Sequence, residues 1–199
     1  VLEWGQASQY AGWFDINWSP AEPSLEGKVL MPFLGCAYGE ALDSGRLELR
    51  FDGETGSFAV WAENTHKLPI DPRTYGAVLE RGSQTLQQLG KSFAALTDFS
   101  GAAELKQQLA GAASTNEIES LVTAFNKQDG HADLDSLIRQ QNWRAARYSV
   151  ASDDINYRRF FIVSDLAAVR IDKPDVFEHA HRLVFQLVEE GLIEGLRID

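Results

Sequence analysis

The chain has 199 residues, and its 29 acidic and 18 basic side chains give a formal net charge of −11. This balance disfavours binding to nucleic acid or to an anionic membrane surface, and no apolar run approaches the roughly 18–20 residues that cross a bilayer. The 44% hydrophobic fraction indicates one or two globular domains, and the single cysteine, Cys36, excludes an intrachain disulfide and favours a reducing compartment.

The first third of the chain is predicted to consist of short strands and loops. Residues 13–18 are strand-like, and residues 28–34 are apolar with an internal proline, which indicates an edge strand or an extended segment. Residues 47–51 and 57–61 alternate apolar and polar side chains on either side of the glycine-containing turn 52–56. That pattern predicts a β-hairpin.

The middle of the chain is predicted to be helical, because Ala, Gln and Glu are frequent and β-branched residues are sparse. Asp71 and Pro72 are typical of a helix start, with aspartate as N-cap and proline at the first helical position, and we expect this helix to extend to about Leu89. Apolar residues at helical spacing recur in three later stretches, namely residues 105–109, 118–125 and 133–141.

The last third changes character again. Residues 147–150 predict a short strand, and residues 156–163 form an extended, aromatic and basic run. Pro174 begins a helix that ends near Gly191, and residues 196–199 predict a closing strand. Helix, short glycine-containing loop and apolar strand form the αβ step of a parallel α/β fold.

The closing strand carries the strongest chemical signal. Arg197 and Asp199 share one face of it, and Asp199 lies at its C-terminal end, where α/β enzymes place catalytic groups. A neighbouring guanidinium keeps a carboxylate ionised and oriented, as a glycosidic nucleophile must be, although a purely structural ion pair explains the spacing equally well. Because chains seldom end inside a strand, we expect this chain to be a piece of a longer protein.

Several longer motifs resemble the maltooligosyltrehalose synthase family of the α-amylase superfamily. Residues 195–199 (GLRID) resemble the strand-four motif of the superfamily, in which the aspartate of Arg-x-Asp is the catalytic nucleophile. More specific are the stretches VLEWG (1–5), SQYAGWFDINW (8–18), KVLMP (28–32), PIDPRTY (69–75), NWR (142–144) and, above all, ASDDINYRRFF (151–161). The resemblance extends from end to end and is weakest in the helical middle.

The resemblance implies a cytoplasmic enzyme without a cofactor or metal, whose partner is a maltooligosaccharide substrate. The parent protein would contain a catalytic (β/α)8 barrel and would convert the reducing-end α-1,4 bond into an α,α-1,1 bond by intramolecular transfer. Its reaction is a retaining double displacement that needs an aspartate nucleophile, a glutamate acid/base and a second aspartate. Asp199 is the implied nucleophile and Arg197 orients it, while the other two carboxylates would lie beyond Asp199. We therefore expect the isolated fragment to be inactive.

The implied fold is an α+β fragment, a mostly helical insertion with short strands, excised from between strands three and four of the barrel. Residues 1–70 would form a β-rich loop and hairpin subdomain after strand three, and residues 71–145 a helical insertion. Residues 146–199 would return the chain through barrel helix three to strand four. The sequence leaves the oligomeric state open.

Four further residues are candidates for substrate contact, namely Tyr157, Arg158, Arg159 and His66. The two arginines are expected to line a groove, and Tyr157 or Phe160 to stack on a glucose face, because aromatic rings suit the C–H faces of a pyranose. The alternative places Phe160 and Phe161 in the core and pairs one arginine with Asp153 or Asp154.

The chain departs from the family pattern at two places. The acidic residue expected after the phenylalanine pair is missing from residues 162–163, and the expected His-Arg-Phe-Pro is HKLP at 66–69. Two other functions stay open. An amylase-type hydrolase would create reducing ends, whereas the mutase consumes them. The helical middle alone would suit a carbohydrate-binding lid that excludes water.

Overall fold

The computed structural model describes residues 1–112, 115–152, 154–161 and 163–197. It shows an α+β architecture with seven helices and three small sheets in the described part of the chain. The chain forms two compact units. Unit 1 comprises Val1–Ala11 and Asn17–Asn156, and unit 2 comprises Gly12–Ile16 and the chain from Tyr157 onward.

A parallel two-stranded sheet joins distant parts of unit 1. Strand β1 (Val29–Leu34) pairs with β5 (Trp143–Arg147) in a register that aligns Val29 with Trp143. The sheet is irregular between Pro32 and Leu34. Proline has no N–H to donate to a ladder and is confined to edges and bulges, so the predicted edge strand at residues 28–34 is confirmed.

A three-stranded antiparallel sheet contains the predicted hairpin. Strands β2 (Leu47–Asp52) and β3 (Ser57–Ala62) pair over their full length, and β4 (His66–Pro69) adds a third strand that the sequence analysis did not predict. The turn before β4 holds Glu63 and Asn64 at φ of 51° and 57°. Such positive values are uncommon outside glycine, which is why composition alone did not reveal this turn.

Six of the helices lie in unit 1: α1 (Tyr38–Asp43), α2 (Gly76–Leu79), α3 (Gln84–Ala94), α4 (Ala102–Ala112), α5 (Thr115–Asn126) and α6 (His131–Arg139). The predicted single helix from Asp71 to Leu89 is wrong. Asp71 does cap a turn, but the turn is a 3-10 helix (Pro72–Thr74), and the chain breaks again between α2 and α3. The two helices approach through glycine, since a Cβ on Gly90 would lie 3.1 Å from Gly76 Cα. A continuous helix could not fold back on itself in this way.

The core of unit 1 is aromatic at its centre. Tyr75 is fully buried between the rings of Phe58 and Phe93, at centroid distances of 5.0 and 4.8 Å. Its hydroxyl accepts a hydrogen bond from the Phe58 backbone N–H at 3.1 Å, and burial raises the pKa of the phenol. Trp143 of β5 is also fully buried, and its indole N–H donates to the Pro69 carbonyl at 2.7 Å. The ring contacts tie the three-stranded sheet to α3, and the indole hydrogen bond ties the two sheets of unit 1 to each other.

Side-chain amides complete the small sheets where no further strand is available. Asn126 of α5 accepts from the Leu49 N–H at 2.8 Å and donates to the Leu49 carbonyl at 2.9 Å. Asn156 does the same for the open edge of β1, accepting from the Leu30 N–H at 2.9 Å and donating to the Lys28 carbonyl at 2.7 Å. Each amide pairs backbone groups that would otherwise be costly to bury.

Unit 2 is smaller and contains one hairpin and one long helix. The segment Gly12–Ile16 makes isolated bridges from Phe14 to Val169 and from Ile16 to Tyr157. Strand β6 (Arg159–Phe160) pairs antiparallel with β7 (Val163–Ala167). Helix α7 (Pro174–Glu189) begins at the predicted proline and ends just before Gly191, whose φ is 69°. The predicted limits of this helix are confirmed.

Two predicted strands and one predicted extended run are corrected by the structure. Residues 13–18 form only the two bridges, and residues 148–152 form a 3-10 helix after β5 has ended at Arg147. The extended run 156–163 is interrupted by a turn at Phe161, whose φ is 54°. The predicted closing strand at residues 196–199 is only half described: residues 196 and 197 form no strand, and Ile198 and Asp199 lie outside the described residues.

The turn between β2 and β3 depends on a glycine that contacts α4. A Cβ at Gly56, where φ is 63°, would lie 1.9 Å from the Lys106 carbonyl oxygen. We expect Gly56→Ala to lower the free energy of unfolding by about 1–2 kcal/mol from backbone strain and about 1–3 kcal/mol more from the clash. Gly45 has φ 68° with open space around it. Gly45→Ala is therefore the matched control, and it should show only the loss that comes from backbone strain. If urea unfolding gives the same loss in free energy of unfolding for both variants, the close packing of Gly56 against the Lys106 carbonyl is contradicted.

The Asn156 amide provides a second test of the fold. Truncation in Asn156→Ala leaves the Leu30 N–H and the Lys28 carbonyl without these partners in a buried position. We expect a loss of about 2–4 kcal/mol in the free energy of unfolding. The exposed Asn116 is the matched control, and Asn116→Ala should change stability by less than about 0.5 kcal/mol. A loss for Asn156→Ala as small as the control's would mean that water replaces the amide.

Candidate functional site

Three of the predicted site residues, Tyr157, Arg158 and Arg159, lie at the hairpin of unit 2. Tyr157 is buried, and its hydroxyl donates to the Ser164 carbonyl at 2.5 Å. Arg159 donates from its guanidinium to the Ser164 hydroxyl at 3.2 Å. Both side chains therefore hold the two arms of the hairpin together, which fixes the position of Arg158 between them.

Arg158 projects from this hairpin into solvent. Its backbone N–H donates to the Asp15 carbonyl at 2.9 Å, and its Nε lies 3.0 Å from Asp15 Oδ2. The guanidinium side chain is 72% exposed, so the ion pair leaves most of it available to a ligand. The alternative expectation paired an arginine with Asp153 or Asp154; the structure pairs Arg158 with Asp15, and Asp153 lies outside the described residues.

A groove of about 400 Å³ adjoins Arg158 in unit 2. It is lined by Asp15, Arg158 and residues 168–172. Arg170 and Asp172 form an ion pair of 2.7 Å at its edge, and the hydrogen bond from Arg170 lowers the pKa of the Asp172 carboxyl. The groove thus presents ionised carboxylates and guanidinium groups side by side, a lining that can hydrogen-bond the hydroxyl groups of a sugar.

Phe160 and Phe161 form an exposed aromatic pair at the tip of the hairpin. Phe160 is 57% and Phe161 81% exposed, and their ring centroids lie 4.6 Å apart at 76°. The positive φ of Phe161 is a costly conformation for a bulky residue, and such outliers collect at functional sites. Within unit 2 these rings are not core residues, so of the two alternatives for them the exposed platform fits better.

His66 lies in unit 1, away from the hairpin in the chain. It begins β4, and its ring stacks on Phe33 with centroids 4.5 Å apart and 14° between the planes. The Nδ1 atom lies 2.9 Å from the Thr65 hydroxyl. Lys67, which stands at the arginine position of the family pattern, contacts Asp52 with its ammonium group at 3.4 Å. This local packing orients His66 but does not reveal a ligand.

The predicted nucleophile pair is only partly described. Arg197 is exposed, and Asp199 lies outside the described residues. Among the described residues, no three His, Cys, Asp or Glu side chains are grouped to hold a metal ion, and no helix there is long and apolar enough to cross a membrane.

Two residues of this groove, Asp15 and Asp172, were not predicted from the sequence. Asp15 lies within the motif at residues 8–18, but its pairing with Arg158 joins positions that are far apart in the chain. Asp172 follows Arg170 by two residues, a spacing that is too common to distinguish a site from a surface ion pair.

No protein-family model matches the chain. Two curated relatives from Mycobacterium tuberculosis, strains CDC 1551 and H37Rv, carry the name maltooligosyl trehalose synthase. Each is 26% identical over 199 residues, which is 100% of this chain and 17% of the relative. The chain therefore spans about a sixth of the length of the curated relatives that it matches.

Solved structures give the same result. A maltooligosyltrehalose synthase from Arthrobacter ramosus matches 100% of this chain and 17% of its own, at 27% identity and a TM-score of 0.56. A glycosyltrehalose synthase, DSM5389, is 19% identical over 92% of this chain with a TM-score of 0.53, a likeness of fold alone. The resemblance carried by the sequence motifs is confirmed, and the chain is similar over its whole length to one segment of the maltooligosyltrehalose synthases.

Proposed function

We propose that this chain is a segment of an enzyme that converts the reducing-end α-1,4 bond of a maltooligosaccharide into an α,α-1,1 bond, which leaves a terminal trehalose unit. The observation that carries the proposal is similarity along all 199 residues to proteins named maltooligosyltrehalose synthase. Trehalose biosynthesis is thus the context in which the chain acts. We place the parent in the isomerase class and in the cytoplasm, with the chain between strands three and four of a (β/α)8 barrel.

The proposed chemistry assigns the nucleophile to this chain. The Asp199 carboxylate attacks C1 of the penultimate glucose, and the bond from that carbon to O4 of the terminal glucose breaks as an acid elsewhere in the parent protonates O4. The 1-hydroxyl of the released glucose then attacks the same C1, loses its proton to the same group and displaces Asp199. Two displacements retain the anomeric configuration.

Arg197 is proposed as the positioning residue for Asp199. In the strand that the sequence predicts, residues two apart share a face, and a guanidinium beside a carboxylate favours its ionised form. One carboxylate cannot be nucleophile and proton donor in the same step, so we propose that the isolated chain is inactive. Detectable turnover of maltopentaose by the pure chain would contradict this.

Tyr157, Arg158, Arg159 and His66 are proposed as the substrate-contacting set. For Arg158 the support is the exposed guanidinium beside the groove and the aromatic pair at the hairpin tip. The hydrogen bonds of Tyr157 and Arg159 within the hairpin hold these two side chains in place for contact with the sugar. For His66, which belongs to unit 1, the support is the stacking of its ring on Phe33.

Replacement of the nucleophile tests the proposed reaction. In the full-length parent, Asp199→Asn should lower kcat on maltopentaose at least about 1000-fold, since the amide cannot form the covalent bond to C1. The assay follows reducing ends, which fall during mutase turnover and rise during hydrolysis. Glu194→Gln makes the same carboxylate-to-amide change five residues earlier and should leave kcat within about twofold. Rising reducing power in the wild type would identify a hydrolase instead.

Replacement of Arg158 tests the substrate-contacting set. Arg158→Gln in the parent should raise KM for maltopentaose about tenfold or more with kcat little changed, because a charge-assisted hydrogen bond to the sugar is lost. Arg182, an exposed arginine of α7, provides the matched control Arg182→Gln, with KM unchanged. Equal KM values for the two variants would remove Arg158 from the set.

A further inference from the structure

A second groove lies in unit 1 and is strongly basic. It has a volume of about 430 Å³, within the range of small-molecule sites. Its walls come from the segment before β1, the start of α1, the end of α6 and strand β5. Ten residues line it, and none of them is acidic; four are basic, namely Lys28, Arg139, Arg144 and Arg147.

Four of the chain's 18 basic side chains meet in this groove, although the chain carries a net charge of −11. Arg139 is paired with Asp135 at 2.7 Å, and Arg144 lies 4.0 Å from Glu22. Two carboxylates therefore face four cations, an excess of two positive charges. The pKa of the Lys28 ammonium group is lowered, first by burial and then by the positive charges of Arg144 and Arg139.

Two of the cations of the groove come from β5. Arg144 and Arg147 are exposed, and Arg144 also contacts the Ser24 hydroxyl. Within the described part of the chain Arg147 forms no ion pair, and its guanidinium lies 6.0 Å from the Tyr148 ring centroid. Lys28 donates to the Arg139 carbonyl at the C-terminal end of α6, which fixes its ammonium group at the groove.

From this arrangement we propose that the groove binds a small molecule carrying a phosphate group, held by the guanidinium groups of Arg144 and Arg147 together with the ammonium group of Lys28, all of which line it. Guanidinium forks match the oxygen spacing of a phosphate, and a doubly charged anion balances the local excess of two charges. A neutral sugar would leave these cations uncompensated and partly desolvated, which is unfavourable. A long polyanion would be repelled by the acidic remainder of the chain.

The inference does not rest on the proposed glycosyl transfer, because the groove lies in unit 1 and uses none of the residues assigned to that reaction. Its test is direct binding to the full-length protein that contains this chain, by isothermal titration calorimetry. The probes are inorganic phosphate, glucose 6-phosphate and glucose. We expect a dissociation constant at or below about 1 mM for at least one phosphate probe, and no binding of glucose at this groove.

Charge-matched double variants make the test specific. Arg144→Gln with Arg147→Gln should weaken phosphate binding at least about tenfold, and Arg147→Lys should give an intermediate loss because it keeps the charge but not the fork. Lys91→Gln with Arg182→Gln removes the same charge from exposed helix positions outside the groove and should leave binding unchanged. Circular dichroism confirms that each variant is folded.

The outcomes separate the sources of the phosphate group. Tighter binding of glucose 6-phosphate than of inorganic phosphate supports a phosphate monoester, and equal affinities support free phosphate. The proposal is overturned if neither probe binds at 10 mM, on the order of the weakest useful affinity. It is also overturned if both double variants lose affinity equally, or if glucose binds as well as its phosphate.

Discussion

The structure depends on pairing backbone groups that its small sheets leave open. The described sheets contain two, three and two strands, so most strands have an edge without a neighbour. The side-chain amides of Asn126 and Asn156 pair with backbone groups at two of these edges, since each amide both donates and accepts a hydrogen bond. Gln141 does the same between helices, accepting from the Asp71 N–H at 2.7 Å and donating to the Leu137 carbonyl at 2.6 Å. A buried amide left unpaired at any of these places would cost more than the contact contributes.

The same constraint positions the candidate functional groups. Tyr157 and Arg158 belong to the hairpin segment of unit 2. Within that unit the bridge from Ile16 to Tyr157 and the bond from Arg158 to the Asp15 carbonyl set the direction of the guanidinium. In unit 1 the pairing of β1 with β5 determines where Arg144 and Arg147 lie in the basic groove. Backbone pairing thus sets where the site residues lie, and ion pairs such as Arg158–Asp15 and Arg170–Asp172 add to it.

Elements with local signals could be predicted from the sequence. The hairpin β2–β3 follows from alternation around a glycine turn, and α7 follows from Pro174 and Gly191 at its two ends. The break between α2 and α3 could not be predicted, because it rests on the approach of Gly76 to Gly90 across 14 residues of chain. Strand β4 was not predicted either. The turn before it holds Glu63 and Asn64 at positive φ, a conformation that a sequence normally signals with glycine. The closing strand at residues 196–199 stays a prediction, because Ile198 and Asp199 lie outside the described residues.

Only the site residues that belong to a sequence motif could be predicted. The run at residues 151–161 pointed to Tyr157, Arg158 and Arg159, and the structure brings these three onto one hairpin. Asp15 was not predicted because its partner Arg158 is distant in the chain. The basic groove was not predicted because Lys28 lies 111 residues before Arg139. Long-range pairing of charges is a property of the fold, and a single sequence carries no local trace of it.

The most direct test of the account is to identify the residue that forms the covalent intermediate. The full-length parent would be incubated with a fluorinated maltosyl fluoride, which slows breakdown of the glycosyl-enzyme, then digested and analysed by mass spectrometry. The account predicts that the sugar label is carried by Asp199, in the peptide that contains GLRID. A label on any other carboxylate, or no label although the reagent inactivates the enzyme, would contradict the assignment of the nucleophile to this chain.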